Sequence, residues 1–190
     1  MGKSSINKLF FGIGIIILIL FISTIRNNPK QTLTPKTIYQ DGELYKVQRV
    51  IDGDTIIIEF NGVNTTIRLI GIDTPEIKSS KQKIECFGEE AFNEVKKILS
   101  GKRIALEQDP SQGNLDKYGR MLAYVFLDNG IFLNKYMIQQ GFAYEYTYNL
   151  LYKYQSEFKE VQKIAKEKKR GLWADNACEK NWASFIKELF

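Results

Sequence analysis

The 190-residue chain contains no histidine and only two cysteines, Cys86 and Cys178. The first absence removes Ser-His-Asp triads, Cys-His nucleophile pairs and His-ligated zinc or iron centres at once. The second removes a structural zinc site, because two thiolates without imidazole cannot complete a tetrahedral ligand set. Any metal is therefore held mostly by oxygen, which makes calcium or magnesium the natural candidates. Proton transfer falls to carboxylates, tyrosine or lysine. The length suits one domain with appendages, large enough to bury a core. A formal net charge of +5 and a pI near 9.0 favour polyanionic partners and do not bear on fold.

Long apolar runs are also scarce, with one clear instance from Leu9 to Ile25, interrupted by Gly12, Gly14, Ser23 and Thr24 and preceded by Lys3 and Lys8. It is near the short limit for a membrane-spanning helix. It ends Phe-Ile-Ser-Thr-Ile-Arg, without an Ala-x-Ala cleavage pattern or a lipobox cysteine. Residues 1–26 are thus expected to form an N-terminal transmembrane helix, an uncleaved anchor holding the folded domain outside the cell membrane. Cleavage as a signal would instead release a secreted protein. Residues 27–43, polar and carrying Pro29 and Pro35, read as a linker. A folded domain over 44–174 follows, then a tail over 175–190. There, Trp182, Phe185, Ile186, Leu189 and Phe190 fall at the spacing of a short amphipathic helix.

Within the domain, apolar and β-branched residues predict strands over 44–51, 55–60 and 65–72, joined as a meander. Asn61-Gly62 is the type I′ hairpin signal between the second and third. A helix over 88–100 carries Ala91, Phe92, Val95, Ile98 and Leu99 on one face and stops at Gly101. Strands over 103–108 and 121–127, a short helix ending at Gly141 and a long helix over 151–170 complete the set. On the last helix Tyr154, Phe158, Val161 and Ala165 mark the apolar side, and Lys159, Lys163, Lys166 and Lys168 read as its solvated face. The count is an α+β domain of five strands and three helices.

Three segments carry chemistry: Asp52-Gly53-Asp54-Thr55, then Arg68 followed by Asp73-Thr74-Pro75-Glu76, then Asp116-Lys117-Tyr118-Gly119-Arg120. Pro75 keeps Thr74 out of the helical region, so Asp73, Thr74 and Glu76 occupy an irregular strand exit. If the flanking strands pair antiparallel, Asp54 at the start of one approaches Asp73 at the end of the other, and two carboxylates face one cation. Arg68 and Asp73 are five residues apart, which a regular strand would point to opposite faces, and Gly71 marks the bulge that reconciles them. Singly, each segment also has a plain reading. Asp52-Gly53-Asp54 is a turn, Arg68 a surface ion-pair partner and Lys117-Tyr118-Gly119 an exposed turn.

As an ordered set, these segments resemble the staphylococcal nuclease, or thermonuclease, family over about residues 44–173. The fifteen-residue interval from Glu76 to Ala91, the Gly-x-x-Ala of Gly88 to Ala91, and Leu122-Ala123-Tyr124 fit the same pattern. The resemblance implies an oligonucleotide/oligosaccharide-binding (OB) β-barrel of five strands. It further implies a calcium-dependent endonuclease that cleaves DNA and RNA, preferentially single-stranded or frayed, at the 5′ oxygen to leave 3′-phosphate ends. Carried over, Asp54 and Asp73 become calcium (Ca2+) ligands, with the Thr74 carbonyl as a further oxygen. Glu76 becomes the general base, Arg68 and Arg120 the phosphate clamps, and Lys117 and Tyr118 phosphate contacts. Tyr144, Tyr146 and Tyr148 resemble the family's aromatic wall for a stacked base, with Tyr146 and Tyr148 taken as substrate-binding and core packing as the alternative. Some members of this fold lose the catalytic groups and act as binding modules, whereas Asp54, Arg68, Asp73, Glu76 and Arg120 are all retained here. Cys86 and Cys178 either pair outside the membrane or stay free thiols. No protein partner is expected.

Overall fold

The computed structural model describes residues 43–77, 85–148 and 150–178. The expected anchor, the linker as far as residue 42, and the tail helix beyond residue 178 lie outside them. Strands β1 (Tyr45–Val50), β2 (Thr55–Phe60) and β3 (Val63–Leu69) form an antiparallel meander, because alternate residues such as Ile56, Ile58, Ile67 and Leu69 turn into one interior. Asn61 and Gly62 both hold positive φ, 50° and 75°, so Phe60 pairs directly with Val63 across a two-residue loop. The remaining elements are β4 (Ile72–Asp73), α1 (Gly88–Leu99), β5 (Arg103–Glu107), β6 (Met121–Leu127), α2 (Leu133–Gln139), β7 (Tyr144–Glu145) and α3 (Gln155–Glu167). A single 3-10 turn, Gly171–Trp173, follows.

The barrel closes in the order β1-β2-β3-β6-β5, with β5 returning to β1. All its pairings are antiparallel except β3 with β6. Closure leaves no exposed edge, and five strands enclose an interior filled by side chains. Helices seal it by their apolar faces: Ala91, Val95 and Leu99 from α1, Leu133, Met137 and Ile138 from α2, and Phe158 and Ala165 from α3.

The strand expected over 65–72 is broken in two. β3 ends at Leu69, Gly71 takes φ +77°, and Ile72–Asp73 leaves the barrel to pair with β7. Only glycine fits that corner, since a Cβ there would lie 2.7 Å from the Tyr152 ring. Breaking the ladder frees backbone acceptors that must be satisfied elsewhere. Arg68 Nη1 donates to the carbonyls of Leu69 at 3.0 Å and Ile72 at 2.8 Å, and the fully buried Asn134 donates to that of Ile70 at 2.9 Å. The last helix also starts later than expected, at Gln155 rather than 151. The chain before it is held in a different conformation by Asp109, which accepts the Lys153 N–H at 2.7 Å.

Asp109 is buried and accepts from Ser111 N–H, Ser111 Oγ, the Tyr124 hydroxyl and Lys153 N–H. Burial raises its pKa, but the bonds from Lys153, Ser111 and Tyr124 outweigh it and hold the carboxyl below its ordinary value. Cys86 and Cys178 are joined by a disulfide with Cα atoms 5.5 Å apart, pinning the end of the described chain beside the start of α1. Two outcomes follow for urea unfolding. Asp109→Ala should cost about 3 kcal/mol by orphaning buried donors. Because the folded pKa is depressed, the carboxylate's contribution is present above its unfolded value and should be lost as pH falls through the lower folded one. Cys178→Ser, or reduction of the wild type, should cost about 4 to 5 kcal/mol in the chain-entropy model, and an unchanged midpoint would contradict the bond.

Candidate active site

The β1–β2 turn is an Asx turn in which Asp52 Oδ1 accepts the Asp54 N–H at 3.1 Å. It delivers Asp54 to the mouth of the barrel, nearly buried. Asp54 Oδ1 accepts from the Thr55 hydroxyl at 2.9 Å, and Oδ2 accepts from the Thr74 N–H at 3.1 Å. The Arg68 Nη2 lies 2.9 Å from Asp54 Oδ2 and 2.8 Å from Asp73 Oδ1, so a single guanidinium nitrogen bridges both carboxylates. The break after β3 makes this possible by turning Asp73 back toward Arg68.

Around that pair the local charge is strongly negative. Burial, then Asp54 and Glu76, push the Asp52 carboxyl up to about 7. Asp73 is raised by burial, with Asp54 and Glu85 acting against the lowering influence of Arg68 and Arg120. Glu76 is raised by partial burial of its carboxyl and then by Asp54, Asp73 and Glu85. Among the described residues no three acidic, cysteine or histidine side chains make a finished metal cage. Arg68 holds the point on which the carboxylates converge. The donor set nevertheless fits a hard divalent cation, being all oxygen, aimed at one point and short of positive charge.

Glu76 follows Pro75 and is exposed. Its backbone is clamped: the N–H donates to Glu85 Oε2 at 3.1 Å, and the carbonyl accepts the Glu85 N–H at 2.9 Å. Gly88 lets α1 begin against the same peptide, since a Cβ there would meet the Glu76 carbonyl at 2.7 Å. Across the mouth, Asp116 Oδ1 accepts the N–H groups of Tyr118 and Arg120, both at 2.9 Å, while Oδ2 takes Arg120 Nε at 2.6 Å. This aims Arg120 at Thr55, with Nη1 a long 3.4 Å from Oγ1.

Arg68, Asp73 and Arg120 rim a cleft of about 440 Å³ that continues between Tyr118, Tyr146 and Tyr148. The Lys117 ammonium lies 5.0 Å from the Tyr118 ring centroid and 5.9 Å from that of Tyr148. Tyr144 is not in this cleft and packs edge-on against Trp173 instead. Asp54, Arg68, Asp73, Thr74, Glu76 and Arg120 therefore come together at one end of the barrel, with Lys117, Tyr118, Tyr146 and Tyr148 beside them. Sequence reasoning assigned no role to Asp52, Thr55, Glu85 or Asp116. Asp116 carried a signal, standing four residues before Arg120 in a tight turn; Glu85 carried none, because its partner lies across a loop.

Residues 66–175 match the family model described as staphylococcal nuclease homologue, more than half of the chain. The chain belongs to the staphylococcal nuclease family. It is similar to the thermonuclease of Staphylococcus hyicus, 38% identical over 133 residues that cover 70% of this chain and 77% of that one. Against the thermonuclease of Staphylococcus intermedius the identity is 42% over 132 residues, with the same two shares. An SPbeta prophage-derived endonuclease of Bacillus subtilis is 36% identical over 131 residues, 68% of this chain and 44% of that protein. The five-stranded closed barrel with three helices is accordingly the OB-fold domain of the staphylococcal nuclease family.

The crowded carboxylates have a measurable cost. With chelator present at pH 7, Glu76→Gln should unfold at a higher temperature than wild type, because it removes an ionised group whose folded pKa is raised. The gap should close as pH falls below the unfolded value, where the wild-type group is neutral in both states. A variant less stable at pH 7 would contradict the repulsion.

Proposed function

We propose that this protein is a calcium-dependent endonuclease that hydrolyses phosphodiester bonds of DNA and RNA at the 5′ oxygen, leaving 3′-phosphate ends. The observation that carries this reading is the convergence of Asp54 and Asp73 on one point, with Glu76 beside it and two arginines on the rim of an aromatic cleft. The relatives named thermonuclease and endonuclease support it.

Asp54, Asp73 and the Thr74 carbonyl would hold the calcium, which when bound supplies Lewis-acid stabilisation of charge on the phosphate. The Glu76 carboxylate accepts the proton of the water that attacks phosphorus, and its raised pKa makes it a better base than an ordinary surface glutamate. Arg120 presents a permanently charged planar fork, held in place by Asp116, to the phosphate oxygens, whose negative charge grows in the five-coordinate transition state. Arg68, with Nη1 on the Leu69 and Ile72 carbonyls and Nη2 on Asp54 and Asp73, adds permanent positive charge beside it. Lys117 and Tyr118 contact phosphate, and Tyr146 and Tyr148 offer base-stacking surface that is tolerant of sequence and suited to single or frayed strands.

The apolar run over residues 9–25 supports attachment to the cell membrane with this domain outside. A Cys86–Cys178 bond suits the oxidising exterior, and sites of modest calcium affinity are served by the calcium found there. Among the described residues no helix is long and apolar enough to cross a membrane. A catalytically silent OB-fold binding module is the weaker reading, since all five catalytic groups are present.

Incubating the purified protein with end-labelled single-stranded DNA tests the proposal. Cleavage should require calcium, stop with chelator and leave 3′-phosphate termini. Glu76→Gln and Arg120→Lys should each lower kcat by about 10²- to 10³-fold. Calcium-independent binding without product would overturn the enzyme reading, and equal cleavage by Glu76→Gln would overturn the role of that residue.

A further inference from the structure

Among the described residues the Glu76 carboxylate accepts no hydrogen bond, so its place is inherited from its own peptide. Glu85 holds that peptide, taking the Glu76 N–H on Oε2 at 3.1 Å and donating its own N–H to the Glu76 carbonyl at 2.9 Å. Glu85 is in turn fixed from its C-terminal side: its carbonyl accepts the Gly88 N–H at 3.0 Å, and the next residue, Cys86, is bonded to Cys178. Phe87, at φ +74°, sets its ring 5.7 Å from that of Phe142. Both outside partners, Phe142 and Cys178, issue from one crossing of backbones at Gly141 and Gly171. A Cβ on Gly171 would lie 2.3 Å from the Gly141 carbonyl oxygen, which also accepts the Leu172 N–H at 2.8 Å. From this crossing Trp173 packs on Tyr144, and turns closed by the Ala174 and Ala177 N–H groups carry the chain to Cys178.

We propose that Cys86 and Cys178 are positioning residues for the water-activating Glu76: their disulfide fixes Glu85 against the Gly141–Gly171 crossing, and Glu85 fixes the Glu76 peptide. This rests on the nuclease reading above and deepens it. A base that must reach a water aligned on phosphorus loses rate steeply when displaced, about a hundredfold for about 1 Å. On the other side of the mouth Arg120 needs no cross-link, because Asp116 stands in the same tight turn and takes both its N–H and its guanidinium. Glu76 is exposed, and its clamp comes from across a loop, where chain connectivity alone fixes little. The disulfide supplies that missing constraint, since it enters the structure at the residue beside the clamp.

The test uses the full chain oxidised, reduced, and with its reduced thiols bridged by dibromoacetone, which keeps the loop closed but lengthens the link. On single-stranded DNA with calcium, the reduced and bridged forms should show kcat lowered about tenfold to a hundredfold with KM unchanged, and reoxidation should restore the reduced form. The bridged form should melt close to the oxidised one, because a closed loop constrains the unfolded chain at either length. Wild-type kcat in the bridged form would leave the disulfide a stabilising role only and overturn the proposal. Glu85→Ala should lower kcat by the same factor in the oxidised protein, and reducing that variant should lower it no further; additive losses would overturn the route through Glu85. Amide exchange in chelator reads the clamp without catalysis. The Glu76 and Glu85 N–H groups should exchange about tenfold faster in the bridged form while those of Tyr118 and Arg120 keep their rates; equal acceleration of both pairs, or of neither, would overturn it. Should the oxidised protein not cleave with calcium, the nuclease reading fails on its own, and the two amide pairs then decide whether the cross-link sets the Glu76 peptide.

Discussion

The structure turns on one guanidinium. Arg68 joins two jobs that are separable in principle: Nη1 satisfies the backbone carbonyls exposed where β3 breaks, and Nη2 bridges Asp54 and Asp73. Without the first, the Leu69 and Ile72 carbonyls on either side of the corner would lose a charged donor. Without the second, the buried Asp54 carboxylate would face the half-exposed Asp73 carboxylate with nothing between them. The break after β3 is thus the fold's means of bringing residues five apart in sequence to one point. Gly71 and Asn134 support it from either side.

Negative charge concentrated at one end of a closed barrel works against stability, and the fold contains it with fixed backbone. Asp52, Asp73 and Glu76 all have raised pKa values, from burial first and then from neighbouring carboxylates, of which Asp54 acts on all three. Each is held by an element with little freedom. An Asx turn carries Asp52, the β4–β7 pair carries Asp73, and the Glu85 clamp under α1 carries Glu76. The disulfide reinforces that clamp, because Cys86 directly follows Glu85. Under the proposed function, such a site would be preorganised for a cation and for charge developing on phosphate, the arrangement that electrostatic catalysis exploits.

Much of this was legible in the residues. Runs of apolar and β-branched residues located every barrel strand, and Asn61-Gly62 announced the hairpin whose two positive φ angles the structure shows. The missing histidine steered the chemistry toward oxygen ligands before any geometry was known. What sequence pattern hid is long-range. A continuous strand over 65–72 looked right because Ile70 and Ile72 are as β-prone as their neighbours. At the break, Gly71 takes a positive φ against the Tyr152 ring, 81 residues away, where no larger residue fits. Tyr144 read like Tyr146 and Tyr148 because all three share one spacing, and only pairing with Asp73 and contact with Trp173 set it apart. Glu85 and Asp109 act through partners across loops, where no spacing rule applies.

The proposal's central claim is that the carboxylates bridged by Arg68 hold a calcium ion. Calorimetric titration of calcium into chelator-treated, dialysed protein, repeated in two buffers of different ionisation enthalpy, tests it most directly. The account predicts one calcium per chain, proton release that grows as pH falls because carboxylates with raised pKa must ionise, and loss of that binding in Asp54→Asn. Absence of binding, or an unaltered isotherm in Asp54→Asn, would contradict it.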